Sequence, residues 1–386
     1  MSSVKSTTIV GAGIAGLTAA LALARKGIAS HVLEQAPALE EVGAGLQLSP
    51  NASRILADLG LLDALSAHWS EPDHILLSSG KTLSPLASVP AGSAARSRWG
   101  APYGVLHRAS LQALLIDSVR QNPLCTLTTG QRIERTETAR ALAPSDVLIA
   151  ADGVWSRLRQ TVPGALPARY SGNIAWRFLV PYTAAPAFLN PRTVTAFLGS
   201  HAHLVAYPLT EVQAFNVVAI HAQDDAPPEG WTRKGDALTH SRLLEAFAGW
   251  HTDIRRLIEE AQNPMAWPLF GCPDGAWTDG KDTVLIGDAA HAMTPFAAQG
   301  AAMAIEDAVL LANRLAGTAD IGPALRQFEK ERRERVAKVR SRGAFNRFAY
   351  HASGPVALAR DLVLSLRKPE QLAGDLDWLY GYRTPD

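Results

Sequence analysis

Thr8-Ile9-Val10-Gly11-Ala12-Gly13-Ile14-Ala15-Gly16 is the stretch that decides how the rest of the chain is read. A β-branched run stops at Gly11. Apolar residues at helical spacing then run from Ile14 to Leu23 until Gly27 ends them, so the stretch predicts strand, tight turn and helix. His31-Val32-Leu33 reads as a second short strand ending on an acid, Glu34, which completes a β-α-β unit of a parallel sheet. Gly11, Gly13 and Gly16 allow the tight turn, the close approach of a pyrophosphate and close helix packing, with Ala15 inside the same turn. Glu34 follows Gly16 by 18 residues, where a carboxylate accepts hydrogen bonds from ribose hydroxyls and repels a 2'-phosphate; Gln35 stands beside it. The unit predicts a dinucleotide site and does not by itself separate FAD from NAD.

The 386 residues exceed one ordinary domain, and 47% hydrophobic residues suffice for a full core, so two closely joined domains are expected. With 37 basic against 36 acidic residues, neither nucleic acid nor an anionic membrane is expected as the main partner. Cys125 and Cys272 lie far apart without a C-x-x-C pattern, so no disulfide framework and no metal site is expected, and a reducing cytoplasm is the default compartment. No targeting peptide is read at the amino terminus, and no run of about 18 apolar residues predicts a membrane span. A monomer or a homodimer is expected.

Asn51 to Leu62 has helical spacing, Ile75 to Val89 reads as a hairpin, and His107 to Arg120 as an amphipathic helix. Asp146 to Ala150 and Thr283 to Ile286 are buried-type strands that return the chain to the nucleotide domain. Between them, Ile174 to Tyr182, Thr193 to Phe197, Leu204 to Leu209 and Phe215 to Ile220 predict a mostly antiparallel sheet. Gly300 to Leu315 predicts an apolar helix closed by Gly317, and the chain from Phe328 is helical and charged. There, Glu329 with Arg333, Glu331 with Arg335 and Glu334 with Lys338 are spaced for surface pairs, which predicts a solvated face.

Two further segments join the glycine turn. One is Asp146-Val-Leu-Ile-Ala-Ala-Asp152-Gly153-Val-Trp-Ser156-Arg-Leu-Arg159; the other is Gly287-Asp288-Ala289-Ala290-His291, followed by Pro295 and Gln299-Gly300. Over nearly its whole length the chain resembles the single-component flavin aromatic hydroxylases, similar to salicylate, 3-hydroxybenzoate and 6-hydroxynicotinate hydroxylases. The two segments look like that family's Asp-Gly and Gly-Asp motifs, with Ala150 where the former often has glycine. The resemblance implies an α/β fold: a Rossmann-like FAD-binding domain of glutathione-reductase type (1–70, 96–170 and 271–345), an inserted, mostly antiparallel substrate domain (71–95 and 171–270) and a C-terminal helical segment (346–386). It implies noncovalent FAD, NADH or NADPH as cosubstrate, and a small aromatic substrate together with O2.

The Gly-Asp segment is also legible physically. Asp288 follows a buried strand and emerges at the carboxyl edge of the sheet, where it can hold a ribityl hydroxyl, and Gly300 and Ala301 open a helix whose free N–H groups would face the flavin N1 and O2 edge. His291, beside two alanines, reads as packing. By resemblance, Arg108 contacts FAD, Asp152 and Gly153 serve both nucleotides, and Gly43-Ala-Gly45-Leu-Gln47 runs beside the isoalloxazine. No second glycine triplet exists, so the nicotinamide has no fold of its own.

His201, His203, Val205 and Tyr207 alternate on a probable strand and share one face. His203-Leu-Val-Ala-Tyr207-Pro208 resembles the segment in which a histidine and a tyrosine meet the ring hydroxyl, and Gln299 and Pro295 match residues near the same pocket. The implied chemistry is attack of a substrate phenolate on a flavin C4a-hydroperoxide, decarboxylative if a carboxyl occupies the attacked carbon, with histidine as the base. Alternatives are the same chemistry on a hydroxypyridine, quinoline or polyketide, a flavin-dependent prenyl reductase, or a non-hydroxylating flavoprotein. Trp176, Phe178, Phe197, Trp267 and Phe270 read as core rather than pocket. Cys272-Pro273 stands where relatives often carry an arginine near the flavin or substrate, which leaves the partner of a substrate carboxylate unassigned.

Overall fold

The computed structural model describes residues 4–38, 45–224, 233–234 and 237–385. Its first sheet is parallel throughout, in the order Thr283–Leu285, Val147–Ala150, Ser6–Val10, Ala29–Leu33, Cys125–Thr128. The central strands are buried on both sides, which is why Val147-Leu148-Ile149-Ala150 carries no polar residue. Helix Ile14–Arg25 packs against helix Gly300–Ala316, and both present alanines at their contact. The first of these helices starts directly at a strand's carboxyl end, whereas the second follows strand Thr283–Leu285 only after the short helix Asp288–His291 and the turn Pro295–Ala297.

The second sheet has eight strands in the order Arg233–Lys234, Met265–Gly271, Arg169–Pro181, Ala214–Ala222, Ala202–Leu209, Thr193–Gly199, His74–Ser79, Pro85–Pro90. Every pairing is antiparallel except that of Thr193–Gly199 with His74–Ser79. Its two faces separate by the strand period of two. Trp176, Phe178, Phe197, Leu204 and Val217 face helices Ala237–Ala246 and Thr252–Glu259 and form a core with Phe247 and Ile254. His203, Val205 and Tyr207 face the other way, toward the first sheet's domain. His201 is not part of this alternation: with φ of 58° it sits in the hairpin turn before the strand begins at Ala202.

Helix Ile321–Tyr350 crosses the molecule, and three short helices follow it, Gly354–Leu366, Pro369–Gly374 and Asp377–Tyr380. The expected solvated face of the long helix needs correction. Glu329 does pair with Arg333. Arg332 and Arg335, however, are buried among Glu306 and Asp307, and Glu331 pairs with Arg314 instead of Arg335. The spacing rule for an isolated helix surface loses here because this helix packs on Gly300–Ala316. The two-strand ribbon Gly45–Leu48 with Gly104–His107 was also not foreseen; its strands are too short to show alternation. Among the described residues no helix is long and apolar enough to cross a membrane.

Candidate functional site

The nucleotide end is built from carboxyl ends of strands. Gly11 holds φ of 107°, and a Cβ there would lie 2.4 Å from the Ala151 carbonyl oxygen; a Cβ on Gly16 would lie 2.0 Å from that of Gly11. Side chains are therefore excluded on the protein side of the turn, whereas Gly13 faces open space. Helix Ile14–Arg25 has no side-chain cap and no acid in its first turn, so its free N–H groups suit an anion. Glu34 accepts from the backbone N–H of Ala12 (2.7 Å) and of Ala36 (2.8 Å), which aims its carboxylate across the turn and leaves lone pairs for ribose hydroxyls. Gln35, next to it, is exposed.

Gly287 and Asp288 come up beside this turn: a Cβ on Gly287 would lie 2.9 Å from the Ala15 Cβ. The Asp288 side chain is exposed, with no hydrogen bond to a described residue. Asp152 spends one oxygen on the N–H groups of Arg157 (2.9 Å) and Leu158 (3.3 Å); the other is buried without a partner. Helix Gly300–Ala316 again lacks a side-chain cap and a first-turn acid, and Gly300 faces open space, with Ala301 half-buried beside it. Open glycines, two uncapped helix starts, an idle buried acceptor and an idle carboxylate on one edge fit a ligand with phosphates and a polyhydroxyl chain.

Two side chains brace this edge without having been singled out from the sequence. Arg159 is buried and donates to the carbonyls of Val154, Asp288 and Ala289 (2.9, 2.8 and 2.7 Å), tying the Asp-Gly segment to the Gly-Asp segment. Gln112, on the helix that Arg108 opens, donates to the Ala12 carbonyl (2.9 Å). Below Asp288, the Gly287 N–H and His291 Nε2 both meet Asp307 Oδ2 (2.8 and 2.6 Å), so His291 is structural, as its alanine neighbours suggest.

Beside that edge lies a cavity of about 440 Å³, within the range of small-molecule sites. Gln47, Tyr103, His203, Val205, Pro295 and Phe296 line one part of it, and residues of the C-terminal helices the rest. His203 is 2% exposed and lies against Phe296 and Tyr350 (ring centroids at 5.2 and 5.4 Å). Its Nδ1 is 2.9 Å from Nε2 of His351, leaving its own Nε2 for the cavity. Burial, and then the neighbouring His351, hold the His203 pKa well below its usual value, and burial with Arg347, His201 and His221 brings His351 down to about 4. Both rings are neutral near pH 7, and one proton shared between them is what a 2.9 Å contact requires.

The other expected pocket residues fall elsewhere. Tyr207 is buried at the far end of the face, so near Gly45 that a Cβ there would lie 2.5 Å from its ring; burial raises its pKa. Gln299 points into the core, where it donates to Ser49 (2.9 Å) and accepts from Asn51 (3.2 Å). Neither belongs to the cavity lining. Gln47 does, and its side chain accepts from the Tyr103 hydroxyl at 2.5 Å. Gly43 and Ala44 lie outside the described residues. Cys272 is buried under Asp288 and away from the cavity, its carbonyl accepting from Arg340 at 2.7 Å.

The model of the FAD binding domain family matches residues 5–342. The chain is 37% identical to 3-hydroxybenzoate 6-hydroxylase 1 of Aquipseudomonas alcaligenes over 97% of both chains. It is 32% identical to 6-hydroxynicotinate 3-monooxygenase of Bordetella bronchiseptica, covering 86% of this chain and 88% of that one. In fold it is similar to a variant of Klebsiella pneumoniae HpxO complexed with FAD (TM-score 0.82, 24% identity, 97% of this chain and 98% of that one). A salicylate hydroxylase substrate complex is similar too (TM-score 0.80, 22% identity, 99% and 96%). The chain belongs to the FAD binding domain family and is an FAD-dependent monooxygenase of the aromatic hydroxylase kind.

Proposed function

We propose that this chain hydroxylates a small phenolic aromatic acid, using NADH or NADPH and O2, with the substrate in the cavity beside Pro295 and His203 as its base. The observation that carries this reading is a neutral, buried histidine whose Nε2 is turned to an otherwise mostly apolar cavity while its Nδ1 is engaged. Bound FAD, reduced by the nicotinamide, supplies the activated oxygen. The residues for it are Gly11, Gly13, Ala15, Gly16, Glu34, Gln35, Arg108, Asp152, Gly153, Asp288, Gly300 and Ala301, in a Rossmann-like domain of glutathione-reductase type comprising 1–70, 96–170 and 271–345. The sheet of 71–95 and 171–270 is the substrate domain, and 346–386 closes the cavity.

His203 Nε2 takes the proton of the ring hydroxyl, and the resulting phenolate pushes electron density onto the carbon to be oxygenated. As Nε2 gains that proton, Nδ1 releases its own to Nε2 of His351, so no imidazolium persists in the buried site. His351 is half-buried and passes a proton outward on the side of His201 and Arg347. Phe296, Tyr350 and the aliphatic wall of Ile75, Leu77, Val194 and Leu198 keep water from the reacting atoms. The reading is tested by screening hydroxybenzoates for stimulated NADH or NADPH oxidation and for an atom of 18O in the product from 18O2. Stimulated oxidation without label in the product would sink it.

Two consequences follow here. Asp288→Ala removes the idle carboxylate at the sheet edge and is expected to weaken FAD binding roughly 10- to 100-fold, the worth of a charge-assisted hydrogen bond. Flavin titration of the stripped protein reads this, and unchanged affinity would count against the assignment. The second concerns pH. Because folding lowers the His351 pKa from 6.5 to about 4, the unfolded chain binds more protons between those values. Stability is therefore full above about pH 6.5 and falls as the pH drops toward 4, by up to about 3 kcal/mol from this site. Urea midpoints for the wild type and His351→Gln should converge as the pH falls, and parallel curves would refute the contribution.

A further inference from the structure

The cavity contains one guanidinium that no described acid pairs with. Four basic side chains line it: His203, Arg342, Arg360 and Arg367. His203 is neutral. Arg360 pairs with Asp361 and donates to the Ala349 carbonyl (2.8 Å). Arg367 grips both oxygens of Asp375, the single acid in the lining. Arg342 has no ion pair and no hydrogen bond with any described residue. Its Nε is buried without a partner; the Phe345 ring lies 5.8 Å from the guanidinium carbon, and Asp375, already held by Arg367, feels its charge without pairing with it.

We infer that Arg342 binds the carboxylate of the aromatic substrate and so sets this site's preference for phenolic acids over neutral phenols. The inference rests on the hydroxylation proposed for the same cavity, and it adds the residue that selects the substrate's charge. A guanidinium aimed into an apolar cavity is costly unless a ligand supplies the counter-charge. Its planar fork of donors matches a carboxylate's two oxygens, which a phenol or an amide cannot reproduce.

Position supports the same assignment. Arg342, Asn346 and Tyr350 are four residues apart on helix Ile321–Tyr350 and all line the cavity, so they form one face of that helix. Tyr350 at one end of the row touches His203. Arg342 at the other end lies two turns away, roughly 12 Å along the axis at 1.5 Å per residue, a gap spanned by one aromatic ring and the arginine's own long arm. Asn346 between them is held by the Phe296 carbonyl at 2.9 Å, which fixes the row against the Pro295 segment. The cavity is thereby polarised: a base where the hydroxyl goes, a cation where the acid goes. No substitute is needed at Cys272, which faces away.

The test compares a hydroxybenzoate that the holoenzyme accepts with its uncharged hydroxybenzamide, in the wild type, Arg342→Met and Arg342→Lys. Ligand affinity is read from the perturbation of the flavin absorption spectrum, and KM and kcat from stimulated NAD(P)H oxidation. In the wild type the acid binds better than the amide. In Arg342→Met that preference is expected to collapse roughly 10- to 100-fold, through weaker affinity and higher KM for the acid, with part of it restored by Arg342→Lys. Equal losses for acid and amide, a wild type indifferent between them, or loss of FAD from Arg342→Met would each overturn the inference while hydroxylation stands. A wild type unresponsive to every phenolic acid and amide would remove the hydroxylation reading itself, and this assignment with it.

Discussion

His203→Asn is expected to lower kcat for hydroxylation by 10²- to 10⁴-fold, roughly the worth of a positioned general base, while the protein stays yellow. Asparagine is chosen because its side-chain nitrogen reproduces the place of Nδ1 and can still meet His351, whereas nothing replaces Nε2. The fall in rate then isolates the base from the packing against Phe296 and Tyr350. A second signature separates catalysis from structure. The loss should shrink at high pH, where more of the substrate arrives already as phenolate, and the wild type should lack that rise because its histidine is neutral across the range. Rapid-quench measurement of product formed in a single turnover, over pH 6 to about 9.5, reads both. A variant as fast as the wild type would remove His203 from the mechanism, and a uniform loss at every pH would reduce it to a packing residue.

Arg332→Met is expected to destabilise the fold by roughly 3–5 kcal/mol, the cost of leaving buried charges uncompensated. Arg332 is wholly buried and joins Asp307 (2.6 Å) and Glu306 (2.7 Å); Arg335 holds Glu306 from the other side at 2.9 Å. Two arginines offset two acids within a space closed to water, so removing one arginine strands a carboxylate. The damage should also reach the cofactor. Asp307 receives the Gly287 N–H, and Glu306 receives Asn51 Nδ2 at 2.8 Å, which in turn donates to Gln299 at the start of helix Gly300–Ala316. The cluster therefore sets both the Gly287-Asp288 turn and the start of helix Gly300–Ala316, the two places proposed to hold FAD. Urea unfolding of the apoprotein reads the first effect and flavin titration the second. Arg332→Met with wild-type stability would show that the cluster stabilises nothing.

The nucleotide end was legible because its parts are short and contiguous. Gly11 to Gly16, Glu34, Asp152-Gly153 and Gly287-Asp288 each carry their conformation in a few neighbouring residues, and a parallel sheet necessarily brings strand ends together. Legibility failed where a side chain's environment is set by distant packing. Nothing near Gln299 announces that Ser49 and Asn51 will hold it inside the core. The pairing rule for a free helix surface could not anticipate that Arg332 and Arg335 turn inward. Nor could alternation along 201–207 show that His201 leaves the strand or that Tyr207 ends beside Gly45, outside the cavity lining.

By itself, then, the sequence determined what the chain grips: recognition of phosphate and ribose relies on backbone N–H groups and one or two carboxylates in tight turns, and such turns are local. Tertiary structure alone decided which side chains line the cavity, because it is walled by segments remote in sequence. His203 meets His351 across 148 residues, and Arg342 reaches the same space from a helix whose own pattern reads as surface. A side chain's protonation and charge balance are set by everything packed around it, and only the folded chain puts those neighbours in place.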